Sequence, residues 1–526
     1  MSTPALRAPG RIPAVHPEVL RRRMSDVLVT CAIALVPAVT ALAVTIALPE
    51  MSVLLVLAVV AGLVGIVTLM VYSRLEVTVT LVVIYLGVLN GPVKLFFNGR
   101  ELTASIQDVV VLAVAAGALM RMAQRREKIR WPELSGWVIA WVALVVINAF
   151  NPRTEGILHA LGGFRQHLQF VPFFFFGYVL MRSKDRFRKA FVIIGVIALL
   201  NGIVAAYQST LTPSQLASWG PGYAALVKPE GGGGRVFFSE GEAHVRPPGL
   251  GSDAGSSGAI GHIALPMCLA LLAITRRRKW FPTLLCVGSA VAVMVGLGRL
   301  PLIGTLLGVM VFVALAAMGG RRFSRAMVSM LAVMVLMIPV GAIVIAALKP
   351  GTFNRYETLS TSSSTTLHKE SAWSKIPKYA EAAPLGFGLG NSGAVSGFGG
   401  SANNNLLEGH GLTSETEYNV LIKELGVPGL LLWPAIIFYV TALTFKGIKR
   451  IRDPDLAICI AGMMAPLVPL PIEATSGFLS GSVVDGAYIW FAVGVAGYWF
   501  ARKLRPEHPD EPQEAGRIDE KALAVA

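Results

Sequence analysis

Charge is scarce in this sequence. Only 15% of its 526 residues are Asp, Glu, Lys or Arg, against about a quarter in an ordinary soluble chain. With 54% of residues hydrophobic and a mean hydropathy of +0.63, that shortage excludes a disordered chain and argues against a soluble enzyme. Cysteine is scarcer still. Cys31, Cys268, Cys286 and Cys459 each lie inside an apolar run, a pattern that fits neither a disulfide framework nor a thiolate metal site. No group of His, Cys and carboxylates has metal-ligand spacing, so no metal and no cofactor is expected. No internal repeat is visible.

What is abundant is long apolar sequence. A membrane span needs about 20 apolar residues, and fourteen segments qualify or nearly do: roughly 26–48, 51–72, 77–97, 105–122, 134–150, 168–181, 190–207, 258–275, 280–297, 301–318, 326–348, 428–445, 455–471 and 483–500. The expected fold is therefore all-α, a polytopic helical membrane protein with 12–14 transmembrane helices. A basic N-terminus (1–25) precedes the membrane domain (26–501), and a polar tail (502–526) reads as disordered.

The net charge of +15 suggests nucleic-acid binding until its carriers are mapped. With alternating spans, every multi-basic cluster falls on one side, including 121–130, 182–189, 276–279, 321–325 and 446–452. Basic residues concentrate in cytoplasmic loops. Both termini are thus expected in the cytoplasm, and the charge reports topology rather than nucleic acid. Two long loops, 208–257 and 349–427, then face outward. Loops of that length are usually functional or disordered.

The motifs divide into weak and useful ones. Gly388-x-Gly390-x-x-Gly393 matches a dinucleotide fingerprint, but it lies in an outer loop without the strand and helix that such a site requires. Asp453-Pro454-Asp455 resembles an acidic metal–nucleotide pair and reads better as a solvated charge cluster beside Arg450 and Arg452. The outward cations are more informative: Arg153, Arg165, Arg246, Arg299, Arg355 and Lys369. Arg299 sits between two apolar runs, where a cation is either snorkelling or part of an anion site. The fork of guanidinium N–H donors matches phosphate oxygens. Arg246 precedes Pro247-Pro248-Gly249-Leu250-Gly251, a rigid loop before a span. Ser414-Glu415-Thr416-Glu417 reads as a capping box with Ser414 as N-cap. It opens a short helix with Tyr418, Leu421, Ile422 and Leu425 on one face, closed by Gly426 and Pro428. Glu415 on that face is a helix-dipole partner or a positioned base; His410, flanked by glycines, lies nearby.

Four stretches in this order resemble the O-antigen ligase and O-antigen polymerase superfamily of bacterial envelope enzymes. They are Arg246–Gly251; Gly298-Arg299-Leu300-Pro301-Leu302-Ile303-Gly304; Trp373 with Ala383–Gly390; and Glu415–Tyr418 followed by Glu424-Leu425-Gly426-Val427-Pro428-Gly429. The resemblance implies a glycosyltransferase in the bacterial inner membrane. Such enzymes move glycan units from a polyprenyl diphosphate carrier to an acceptor hydroxyl on the outer face, without nucleotide or obligatory metal. It also implies that Arg246, Arg299 and Lys369, with Arg165 as a further outward cation, bind the diphosphate. The expected partners are the carrier-linked oligosaccharide, an acceptor glycan, the bilayer, a chain-length regulator and a flippase. The ligases open the last motif with a His-Asn pair, whereas spacing back from Glu424 places Glu415 and Thr416 there. That departure favours a polysaccharide polymerase over a ligase and ranks Glu415 above His410 as the catalytic base. A transporter of lipid-linked glycans is the alternative from another class; the lack of repeats and the small number of ionisable residues in mid-span argue against it.

Overall fold

The structure, a computed structural model, describes residues 75–96, 131–154, 156–227, 236–239, 242–319, 375–392, 416–475 and 477–501, with positions 107, 110, 111, 114, 115 and 117 between the first two stretches. It is predominantly helical. Among the described residues, seven helices are long and apolar enough to cross a membrane. They are α1 (Leu75–Phe96), α5 (Lys184–Thr210), α8 (Ser256–Ile274), α10 (Arg299–Gly319), α12 (Glu417–Gly447, continued to Arg450 as a 3-10 turn), α13 (Pro454–Met464, continued as far as Glu473), and α14 (Val483–Ala496, continued to Ala501). Shorter apolar helices stand beside them: α2 (Ser135–Ala149), α4 (Pro172–Leu180) and α9 (Trp280–Val295). The expected spans at 26–48, 51–72 and 326–348, and most of 105–122, lie outside the described residues.

Helix α8 forms the centre. It packs on α5, α9, α10 and α13, and nearly every residue from Gly261 to Leu271 is buried. The α5–α8–α9 group is close-packed at small residues. A Cβ on Gly202 would stand 2.7 Å from the Gly288 carbonyl, and one on Gly261 would stand 2.5 Å from that of Ser289. Small residues bring backbones together where a bilayer offers no hydrophobic drive between helices. Cys268, Cys286 and Cys459 are buried free thiols.

Three basic clusters converge on one end of the bundle. Lys184 pairs with Asp453 (3.3 Å) and Asp455 (3.5 Å), and Lys189 pairs with Glu76 (3.5 Å). These contacts set the starts of α1, α5 and α13 side by side. At the same end, Gly319 of α10 packs on Ile448 and Ala457, and α8 leads into the basic turn 276–279. Such exposed pairs add little stability, but they fix which helix ends are neighbours. Asp453 has a second role. Its carboxylate caps α13 by accepting the Asp455 N–H (2.9 Å) and the Leu456 N–H (3.4 Å). The acidic pair is therefore a helix cap joined to a lysine.

The loop 208–257 is built rather than irregular. It holds the short helices α6 (Pro213–Ala217) and α7 (Pro221–Val227), then an antiparallel hairpin of β1 (Val236–Ser239) and β2 (Glu242–Val245). A capping box opens α6, with Thr212 and Gln215 exchanging bonds. Leu216, Tyr223 and Leu226 pack with Leu95 and Val245 into a small core of their own. Sequence analysis placed the fold in the all-α class; this hairpin is the one strand pair among the described residues.

Candidate functional site

The residues richest in chemistry gather at the end of the bundle opposite the basic clusters. Two arginine-bearing turns meet there. The first is Arg246–Gly251, held by two polar side chains from the last turns of α5. The Gly249 N–H donates to Gln208 Oε1 (2.8 Å), and Gln208 Nε2 donates back to the Gly249 carbonyl (3.1 Å). The Leu250 N–H donates to Asn201 Oδ1 (2.9 Å), while Asn201 Nδ2 donates to the Gly87 carbonyl of α1 (3.1 Å). The loop expected to be rigid is thus pinned to two spans. The second turn, Gly296-Leu297-Gly298, carries buried Leu297 at a φ of 52° and releases Arg299 as the first residue of α10. Gly255, at a φ of 81°, lies between the two turns. A Cβ there would come within 3.0 Å of the Arg246 guanidinium and 3.1 Å of the Gly296 carbonyl. Arg246 and the Arg299 turn are thereby brought together at the N-terminus of α8, where the helix dipole favours an anion.

This anchoring has a measurable consequence. Gln208→Leu leaves the Gly249 amide and carbonyl buried without partners, at a cost of about 2 kcal/mol. The expected result is a lower unfolding midpoint in detergent; an unchanged midpoint would show that the loop is held by packing alone.

A group of acids lies beside the arginine turns. The carboxylate of Glu417, fully buried at the start of α12, accepts the N–H groups of Leu479 and Ser480 (2.9 Å each) and the Ser480 hydroxyl. Its own N–H donates to the Gly477 carbonyl (2.9 Å). Gly477 also faces the side chain of Leu300, so this acid adjoins the first turn of α10. His262 of α8 and Glu473 at the end of α13 stand 3.3 Å apart, both buried. A side chain at Gly304 would overlap the Glu473 carboxyl, so the glycine makes room for it. Buried Asp485 of α14 lies within electrostatic reach of both Glu417 and Glu473.

A third arrangement joins the second long loop to the bundle. Glu424, fully buried in α12, meets His167 Nε2 (2.8 Å) and accepts from Gln166 Nε2 (3.4 Å), the Ser392 N–H (2.9 Å) and the Ser392 hydroxyl (3.0 Å). His167 and Gln166 belong to α3 (Ile157–Leu168). Ser392 ends the glycine-rich stretch 383–392, which follows α11 (Lys375–Ala382). The stretch is laid along neighbouring backbone. The Phe387 N–H donates to the Lys423 carbonyl (2.7 Å) and the Val427 N–H to that of Pro384 (2.8 Å). Asn151 Nδ2 donates to the Gly386 carbonyl (3.1 Å). Arg153 donates to the Ala382 carbonyl (3.1 Å) and lies over the Phe387 ring. A Cβ at Gly388 would overlap Thr154, and one at Gly390 would overlap the His159 carbonyl. The Gly388–Gly390 pattern thus serves close approach of two backbones, and the element that leads into it is helix α11 rather than a strand.

Of the sequence candidates, Arg246 and the Arg299 turn come together, both residues half-buried. Half-buried Arg165 sits on α3 beside the Glu424 clasp. Lys369, His410 and Glu415 lie outside the described residues. One expectation is corrected. The N-cap of α12 is Thr416, whose hydroxyl accepts the Asn419 N–H (3.2 Å), and not Ser414. The reason is that the Glu417 carboxylate is committed to Leu479 and Ser480 and does not reach back to close a box.

No protein-family model matches the chain, and no curated protein matches it. What it does is therefore to be read from its own residues.

Those residues include several that the sequence reading passed over: Asn201, Gln208, His167, His262, Glu473 and Asp485. Their common signal is a polar side chain inside or beside an apolar run, which marks a site or a packing device in a membrane protein.

Proposed function

We propose that the chain is a polyprenyl-diphosphate-dependent glycosyltransferase of the polysaccharide polymerase type. It would act at the outer face of a bacterial inner membrane with both termini in the cytoplasm. The observation that carries the reading is the meeting of the Arg246 loop and the Arg299 turn at a helix N-terminus, beside buried carboxylates. Two guanidinium groups suit a diphosphate leaving group, because they stabilise its developing charge without proton transfer. The acceptor sugar hydroxyl needs a proton acceptor within hydrogen-bond reach. Glu415 and His410 remain the proposed groups for that step, on their place in the sequence before α12. Lys369 and Arg165 are proposed as further diphosphate contacts. The carrier-linked oligosaccharide and an acceptor glycan are the substrates in this reading, with a flippase and a chain-length regulator as partners.

The test is incubation of purified protein with a polyprenyl-diphosphate oligosaccharide, followed by product sizing. Arg246→Ala and Arg299→Ala are each expected to abolish polymer at normal protein level, and Arg299→Lys to restore only part, since a point charge lacks the bidentate fork. Full-length polymer from both alanine variants would reduce the arginines to membrane anchors. Reporter fusions at Lys128 and Gly400 are expected to mark opposite compartments; one compartment for both would overturn the topology.

A transporter of lipid-linked glycans is the second reading. The buried His262–Glu473 pair favours it, because ionisable groups inside a bundle commonly line translocation paths. In the same assay a transporter would lengthen no product, and lipid-linked glycan would instead change leaflet in proteoliposomes.

A further inference from the structure

The stretch from Ala190 to Val227 contains no Asp, Glu, Lys, Arg or His. Its first part is α5, and the span ends at Thr210. The chain then stays uncharged through α6 and α7, where an aqueous loop of this chain would be expected to carry charge. The composition of 211–227 is apolar, aromatic, Ser, Thr and Gln, which suits neither bulk water nor hydrocarbon.

The geometry shows where this segment lies. On α5, Leu200, Ile203 and Tyr207 are exposed at i, i+3 and i+7 and form one outward stripe. In a span, exposed apolar residues face lipid. Tyr207 is the last of them and stacks on Trp219, with ring centroids 6.0 Å apart. Trp219 meets Tyr223 (5.4 Å), and Tyr223 meets Phe96 (5.5 Å), the exposed last residue of α1. Four aromatic rings thus run as a chain from the end of one span to the end of another, and both ends are exposed. Trp and Tyr collect at the membrane–water boundary because one side of each ring is apolar and its polar tip needs water. The exposed residues of 210–218 are Thr210, Thr212, Ser214, Gln215 and Ser218, all small or uncharged polar groups.

We infer that residues 211–227 form an interfacial platform seated in the headgroup layer of the leaflet at the loop end of the bundle, anchored by the Phe96–Tyr223–Trp219–Tyr207 chain. Its partner is the lipid surface itself. The lipid-facing stripe of α5 leads directly into the platform, and that continuity is the reason to choose lipid over a soluble ligand. The platform also fixes a depth. Its core includes Val245, the residue before Arg246, so Arg246 is held at a set level relative to the headgroups. The inference does not depend on the glycan reading, and its test needs no substrate.

The test uses the full chain in lipid nanodiscs, with an environment-sensitive fluorophore at Ser218→Cys and, separately, at Ala225→Cys. The buried thiols of Cys268, Cys286 and Cys459 stay unlabelled under mild conditions, and Cys31 is replaced by alanine. Quenching is compared for lipids nitroxide-labelled at the headgroup, lipids nitroxide-labelled at the chain centre, and aqueous iodide. Headgroup nitroxide is expected to quench several-fold more than chain-centre nitroxide at both sites. In a Tyr207→Ser/Trp219→Ser background that headgroup quenching is expected to fall. Because Ser218 and Ala225 are surface positions in an otherwise native protein, the primary measurement does not depend on the double variant folding. Quenching by iodide alone, or protection of the fluorophore by added oligosaccharide, would place the platform in water and overturn the inference.

Discussion

Gly426→Ala is expected to leave little folded protein in the membrane fraction. At Gly426 the backbone has a φ of 69° and a ψ of −163°, a region open essentially to glycine alone. A Cβ would also overlap the Pro384 carbonyl on the facing glycine-rich stretch, where Gly386 at a φ of 89° packs back against Gly426. Backbone strain and overlap together cost about 3 kcal/mol or more. The control is Gly136→Ala in α2, where a Cβ meets nothing within 4 Å and the change is worth about 1 kcal/mol in favour of the helix. The readout is the monodisperse fraction after extraction, with the unfolding midpoint of whatever survives. A Gly426→Ala protein as stable as the Gly136→Ala protein would mean that the kink in α12 is not required.

Glu424→Ala is expected to have the next largest effect. It removes the acceptor for His167, Gln166 and both Ser392 donors at once, in a fully buried place. Breaking a buried charged hub from one side costs roughly 3–5 kcal/mol. Glu424→Gln keeps the volume and one carbonyl oxygen, but its amide would face the Ser392 N–H or the His167 ring as a donor. It should therefore fall between the wild type and the alanine variant. Chemical unfolding in mild detergent ranks the three. A ranking in which Gln equals Ala would show that charge, not shape, holds the clasp; equality of all three would remove Glu424 from the architecture.

Much of the bundle was legible from hydropathy. The runs at 77–97, 190–207, 258–275 and 301–318 return as α1, α5, α8 and α10, because a long apolar stretch in lipid has little choice but to form a helix. The break at Gly426 was legible too, from a glycine and a proline close together. The region 151–168 was not. Helix α3 contains His159, Gln166 and His167 and reads as loop, since its polar side chains are meant for buried partners far along the chain. The short α2 and α4 are helical where spans of 134–150 and 168–181 were expected, but neither alone is long enough to cross a bilayer. The site was half legible. Arg246 and Arg299 stood out as cations beside apolar runs, while their supports did not. Asn201 and Gln208 look like ordinary interruptions of a hydrophobic run until the backbone they hold is seen. The start of α12 was placed two residues early because Ser414 and Thr416 both suit a cap, and only the distant amides of Leu479 and Ser480 decide what Glu417 does.

The pinning of the Arg246 loop has a mechanical consequence. Through Asn201 and Gln208 the loop is fastened to α5, whereas Arg299 is carried by α10, on another face of α8. The two guanidinium groups therefore ride on different rods, with α8 as the spacer between them. The loop is tied to α8 as well, because the Gly255 N–H donates to the Pro247 carbonyl (3.2 Å), so a slide of α5 along α8 would strain the turn that carries Arg246. The spacing of the two arginine turns is thus tied to helix register.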